Sequence, residues 1–416
     1  MPLLAQRAVN AYRSPIRELE DQAAATAARG TRVLHLNIGQ PDLPTPPEAY
    51  EALHGIEPGV LAYGPAKGLP SYREALREYY RRWGVELGPE DVNVTTGASE
   101  AIWLAINAIA DPGDEVVLPE PFYALYNGFL QLCDVRVAPV ASSFADDFAL
   151  PTAEAFAAAV TARTRAILLC NPSNPTGQVY AAEELAAIGE LAEAHDLYVV
   201  VDEVYREFVY DGAVFTSALT IPSLRHRAVV IDSVSKRYSA CGARIGSIAC
   251  RDAELMTAVT RLSRFRLCPP TIGQVMCERI VRADEDYLAG ALAEYDRRRH
   301  VLYAGLTAIP GVRAYLPRGA FYCFVQLPVD DAEAFARWML TDFSHEGATV
   351  MVAPGAGFYA TPGRGRNEVR LAYVLNEADL RRAIKCLSEA LAAYTHLEQV
   401  EVAAAAAGGV FGSVKA

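Results

Sequence analysis

Between residues 92 and 250, short apolar runs alternate with longer stretches whose apolar residues recur at helical spacing. The runs are VNVT at 92, EVVLP at 115, VRVAPV at 135, RAILLC at 165, LYVVVD at 197, AVVIDS at 228 and GSIAC at 246, so seven strands are predicted. A run such as LYVVV is apolar at every position rather than every second one. Both of its faces must then be buried, the habit of a largely parallel sheet covered by helices. SEAIWLAINAIA and AAEELAAIGELAEAHD are amphipathic at helical spacing and supply that cover. The pattern predicts an α/β sandwich.

The two chain ends read differently. ALAEYDRRRHVLYAGLTAI and EADLRRAIKCLSEALAAY are charged amphipathic helices, whereas RGAFYCFVQLP and NEVRLAYV read as strands of a second, smaller sheet. The expected organisation is a large domain over 48–290 and a smaller α+β domain assembled from 1–47 and 291–396. The low-complexity tail 397–416, with its Gly-Gly step, is expected to be disordered.

A chain of 416 residues, 52% hydrophobic and 21% charged, buries a large core in about two domains, which excludes a small binding module and global disorder. Its net charge of −12 disfavours nucleic acid or an acidic membrane surface as partner, so small molecules are the expected ligands. Eight cysteines stand singly, with no CxxC pair and no zinc-like spacing to histidine, which fits a reducing cytoplasm and no metal centre. The N-terminus breaks into charge before reaching signal-peptide length, and no stretch approaches the ~18 apolar residues that span a bilayer. Only four of the 38 basic residues are lysines, Lys67, Lys236, Lys385 and Lys415, so an amine nucleophile has few candidates.

Lys236 lies just past the buried strand AVVIDS, at the carboxyl end of the sheet, where open α/β folds bind ligands. By position alone it is an ordinary exposed loop lysine. Its context argues otherwise: Ser233, Ser235 and Arg244 are suited to grip a phosphate, and Gly242 and Gly246 let backbone come close. Asp202 ends LYVVVD and reads equally as a helix cap or as a carboxylate held against a pyridinium nitrogen. Tyr205, three residues on, is placed to donate to a phenolate oxygen. TTGASEA opens a helix after VNVT, so the free N–H groups of Gly97, Ala98 and Ser99 face an anion; neither GxxxxGK[ST] nor GxGxxG is present, and one phosphate suits the turn better than a nucleotide. The two Asn-Pro steps of CNPSNPTG impose an extended loop that projects Asn174 from the same sheet edge. Phe122 and Tyr123 follow EVVLP; Phe122 reads as core, and Tyr123 as a face for a flat ring.

These residues, in this order, resemble the fold type I pyridoxal phosphate enzymes, specifically the class I/II aminotransferases of the aspartate aminotransferase kind. The resemblance runs over about residues 14–395 through NIGQPD, YGPAKGLPSYREAL, TTGASEA, PEPFYALYNG, NPSNPTG, VDEVY, SVSKRYSACGARIG and VRLAYV. It implies pyridoxal 5′-phosphate as cofactor, with Lys236 the Schiff-base lysine and general acid/base, and Asp202 the partner of the ring nitrogen. It gives Asn174 and Tyr205 to the 3′-oxygen, and Tyr123 to ring stacking. Gly97, Ala98, Ser99, Ser233, Ser235 and Arg244 go to the phosphate. Tyr63 reaches the phosphate of a neighbouring subunit in a homodimer. Arg370 would hold the substrate α-carboxylate bidentately, aided by the backbone of Gly39.

One departure bears on specificity. Ser99 stands where bacterial aspartate-specific relatives often hold a lysine that reads the distal carboxylate. Arg264 or Arg266, in RLSRFRLCPPT, is expected to supply that charge from the neighbouring subunit, and each reads equally as a surface salt-bridge partner. The implied reaction is amino transfer between an α-amino acid, with aspartate or glutamate as candidates, and a 2-oxo acid. The same residues would also serve elimination, substitution, oxidation or cyclisation of an amino acid. A regulator carrying this fold on a helix-turn-helix domain is excluded, because no residues remain to build one.

Overall fold

The computed structural model describes residues 2–282 and 285–408. Its strands are β1 (Arg32–His35), β2 (Val92–Thr95), β3 (Glu115–Glu120), β4 (Arg136–Ala141), β5 (Thr164–Cys170), β6 (Tyr198–Asp202), β7 (Ala228–Ser233), β8 (Gly246–Ala249), β9 (Tyr322–Gln326), β10 (Ala348–Met351), β11 (Ala353–Pro354) and β12 (Glu368–Ala372). The seven predicted runs, β2 to β8, form one sheet in the order β2-β8-β7-β6-β5-β3-β4. All neighbours pair in parallel except β8, which runs antiparallel to β2 and β7.

The absence of polar positions has the expected cause. Along β6, Val199 and Val201 pack into one hydrophobic cluster with Ile167 and Leu169, while Val200 packs into another with Leu168 and Ile231. Successive side chains leave opposite faces, and helices cover both. Phe122 is buried in the second cluster, as its core reading holds.

RGAFYCFVQLP and NEVRLAYV become β9 and β12, paired antiparallel with β11 at the other edge of β12. A two-stranded parallel sheet, β1 with β10, joins the two chain ends and was not foreseen. We propose the division into a large and a smaller domain on this pairing. Its expected border at 290 falls inside the helix Glu285–Thr307, so the change of unit comes within a continuous helix.

The last helix runs Glu377–Gly408, past residue 396, where a disordered tail was expected. Alanine has the highest helix propensity, so VEVAAAAA extends the helix already nucleated upstream. Residues 409–416 lie outside the described residues. No helix among the described residues is long and apolar enough to cross a membrane.

Candidate active site

The carboxyl ends of the parallel strands converge on a cavity of about 530 Å³. Lys236, Asp202, Tyr205, Asn174, Tyr123, Ala98, Ser99, Ser233, Ser235, Arg244, Gly39 and Arg370 all line it, although they come from widely separated parts of the chain. Lys236 lies in the four-residue helix Val234–Arg237, which starts where β7 ends; its Nζ donates to the Gly39 carbonyl at 2.8 Å. Ser233 caps that helix, accepting from the Ser235 N–H at 3.1 Å, and donates its own hydroxyl to the Ile245 carbonyl at 2.8 Å.

Asp202 is 4% exposed. Its Oδ2 accepts from the Tyr126 hydroxyl at 3.0 Å, and its Oδ1 accepts more weakly from the Val204 N–H at 3.3 Å. Sequence reading missed Tyr126, whose only signal is its place three residues after Tyr123. Burial pushes the Asp202 carboxyl up to about 6, partly offset by the Tyr126 bond. The sign follows: a carboxyl raised on folding stabilises the native chain below its unfolded value, and that stability is lost as pH rises through about 6. The penalty at neutral pH is on the order of 3 kcal/mol. Asp202→Asn should therefore raise the melting temperature of the cofactor-free protein at about pH 8 and leave it nearly unchanged at about pH 4. Thermal scans at both pH values check this.

Arg370, on β12, is 1% exposed. It donates through Nη1 to Asn174 Oδ1 at 2.9 Å and through Nη2 to the Asn37 carbonyl at 2.5 Å, and it lies over the Tyr322 ring at 4.3 Å. Its Nε is buried without a hydrogen-bond partner, a cost that an acceptor in the cavity would remove. With Oδ1 of Asn174 engaged, the amide presents its NH2 end to a ligand. The Tyr205 and Tyr322 hydroxyls lie 2.8 Å apart, and burial raises the Tyr205 phenol well above its ordinary range.

Two glycines lie close against cavity residues. Gly97, at the start of the helix Gly97–Ile109, has a φ of +74° that side-chain-bearing residues rarely adopt, and a Cβ there would stand 2.5 Å from Arg244 Nη2, which would have to move. A Cβ on Gly39 would overlap the Tyr322 hydroxyl. Free helix N–H groups with an arginine beside them suit a phosphate. A buried carboxylate across from it, an amine and an aromatic face suit a protonated ring. The donor set therefore fits pyridoxal phosphate.

A second group of charges lies behind these residues. Asp202 and Lys236 face the cavity, while their chain neighbours Glu203 and Arg237 turn into the core. Arg206 pairs with Glu203 at 3.2 Å and Asp232 at 3.5 Å, and Arg237 pairs with Glu207 at 3.0 Å and with Asp232. Breaking such a buried pair costs about 3–5 kcal/mol, so the network holds the ends of β6 and β7 in place.

Three expected site residues lie elsewhere. Tyr63, 80% exposed, borders a separate surface cavity with Leu61, Thr96, Glu100, Arg266 and Ile272. Arg264 borders another, with Lys67, Thr257, Thr260 and Arg261. The Arg266 guanidinium is engaged within this chain by Glu100 at 2.9 Å, the Ala66 carbonyl at 3.1 Å and the Val94 carbonyl at 2.6 Å, contacts of the salt-bridge kind.

Comparison with known proteins agrees with this geometry. Residues 31–387 match the family described as aminotransferase class I and II. The aspartate aminotransferase of Rhizobium meliloti (strain 1021) is 32% identical over 389 residues, covering 91% of this chain and 93% of that one. The aspartate/prephenate aminotransferase of Thermus thermophilus is 34% identical over 370 residues, covering 87% and 92%. The structure of the Thermus thermophilus aspartate aminotransferase with maleate superposes with a TM-score of 0.85 at 31% identity, covering 94% of this chain and all of that one. With its family matched over most of its length and its strand ends gathered on one lysine, one aspartate and one arginine, the chain belongs to the class I and II aminotransferases.

Proposed function

We propose that this protein moves an amino group between a dicarboxylic α-amino acid and a 2-oxo acid, using pyridoxal 5′-phosphate held in the Lys236 cavity. The convergence of Lys236, Asp202 and Arg370 on that cavity carries the reading. When bound, the cofactor supplies an electron sink for the bond broken at Cα. Lys236 anchors it and moves the Cα proton. Asp202 keeps the ring nitrogen protonated, and Tyr126 keeps that carboxylate oriented. Asn174 and Tyr205 hold the 3′-oxygen, and Tyr123 offers its face to the ring. The N–H groups of Gly97, Ala98 and Ser99, with Ser233, Ser235 and Arg244, hold the phosphate. Arg370 takes the α-carboxylate beside the Gly39 backbone.

The relatives named above carry aspartate, and in one case prephenate, in their names, which supports a dicarboxylic substrate. Elimination, substitution, oxidation and cyclisation are not favoured, since those relatives are aminotransferases. The test is a single half-reaction. Holoprotein mixed with aspartate or glutamate, without an acceptor, should form one equivalent of 2-oxo acid per site, read by cofactor absorbance and product assay. Ammonia release, or no oxo acid from any amino acid, would defeat the reading.

The working unit is a homodimer. Leu61 and Tyr63, 64% and 80% exposed, border one surface cavity with Ile272, and their chain neighbour Val60 and Phe265, next to Arg266 of the same cavity, are 93% and 87% exposed, apolar surface suited to a second copy of the chain, whose phosphate Tyr63 would reach. Phe265→Glu should halve the sedimenting mass at micromolar concentration; an unchanged mass would remove this face from the contact. The eight cysteines are all free, which supports a reducing, cytoplasmic location.

A further inference from the structure

Four cations line the cavity, Arg17, Lys236, Arg244 and Arg370, against the single carboxylate of Asp202. In the proposed function, Lys236 serves the cofactor and the proton, Arg244 the phosphate and Arg370 the α-carboxylate. Arg17 is left over. Within this chain's own cavity, Ser99 carries no charge, while Arg266 is engaged by Glu100 and two carbonyls and Arg264 borders a different cavity.

Arg17 belongs to an N-terminal strap tied down on both sides of Ser14. The Tyr12 N–H donates to Gln131 Oε1 at 2.8 Å, and the Tyr12 hydroxyl to the Gly357 carbonyl at 2.6 Å. The Ile16 carbonyl, one residue before Arg17, accepts from Asn37 Nδ2 at 2.7 Å. Asn37 is fully buried, and its own carbonyl accepts from Arg370 Nη2. One rigid asparagine therefore fixes the backbone next to Arg17 through its side chain and the Arg370 guanidinium through its main chain. That ties the backbone beside Arg17 to the residue that holds Arg370, and both arginines line the cavity. The Arg17 side chain is 66% exposed, and it pairs at 2.8 Å with Glu20, one turn on, whose side chain is 40% exposed. Such a pair exchanges readily for a ligand carboxylate.

We propose that Arg17, from the same chain as the rest of the cavity, reads the side-chain carboxylate of a dicarboxylic substrate; this rests on the amino-transfer reading. Arg370 and Arg17 then hold the two carboxylates, and Glu20 competes with the substrate for Arg17.

The test compares holoprotein of wild type, Arg17→Gln, Glu20→Gln and Arg264→Gln. Two readouts are used: the ratio of kcat/KM for aspartate over alanine, and the calorimetric affinity for succinate, a dicarboxylate that carries no amine. Arg17→Gln should lower both by about tenfold or more, and Glu20→Gln should raise both. A ratio and an affinity within about twofold of wild type in Arg17→Gln would overturn the proposal. So would a loss that falls on Arg264→Gln instead. The two failures are distinct. Wild type that forms no oxo acid from any amino acid sinks the amino-transfer reading and this proposal together, whereas wild-type turnover with unchanged selectivity in Arg17→Gln sinks this proposal alone.

Discussion

Lys236→Ala should abolish turnover while the chain still folds and binds pyridoxal phosphate. Lys236 is the single lysine lining the cavity, and no other described amine can replace it. Lys67 is paired with Glu90, and Lys385 with Glu346 at 3.0 Å. The variant loses both the anchoring amine and the group that moves the Cα proton. A positioned acid/base alone is worth about 10² to 10⁴ in rate, so a combined loss of at least ~10⁴, or about 5 kcal/mol, is expected. Removing a half-buried side chain whose amine holds one carbonyl takes little from the core, so circular dichroism should be unchanged. Borohydride treatment of the wild type should fix the cofactor on the peptide carrying Lys236. Label on Lys67 or Lys385, or wild-type rates in Lys236→Ala, would show that the nucleophile is elsewhere.

Asp202→Asn should retain the cofactor and lose activity by about 10² to 10³, comparable to removing one well-aimed electrostatic partner from a buried site. The amide keeps the shape and can still accept from Tyr126, but carries no charge to hold the ring nitrogen protonated. Tyr126→Phe, which spares the charge and removes one hydrogen bond, should lose less, about tenfold. The same Asp202→Asn change is expected to stabilise the cofactor-free chain at high pH, since it removes a carboxylate that burial makes costly. Opposite signs for stability and rate would mark Asp202 as a residue kept for chemistry; equal rates for Asp202→Asn and wild type would return it to a helix cap.

What the chain determines by itself is whatever lies within one element or one turn. The seven strands were legible because every position of a run such as LYVVV is apolar, and a strand buried on both faces can have no other pattern. Lys236, Asp202 and Tyr205 were legible because each ends or closely follows a strand, so that β7 and β6 carry them to the sheet edge.

The resemblance gathered Lys236, Asp202, Asn174, Arg370 and Gly39 at one site; only the tertiary structure decided what holds each of them and which further charge joins them. Arg370 and Asn174 meet across 196 residues and Lys236 and Gly39 across 197, distances that no local periodicity encodes. For the same reason Arg266, chosen by sequence neighbourhood, proved to be held by Glu100, 166 residues away, while Arg17, in an unremarked N-terminal strap, faces the cavity. An arginine looks alike in sequence whether it pairs, packs or awaits a ligand. Its role depends on which acceptors the fold brings within reach, and here those acceptors come from distant parts of the chain.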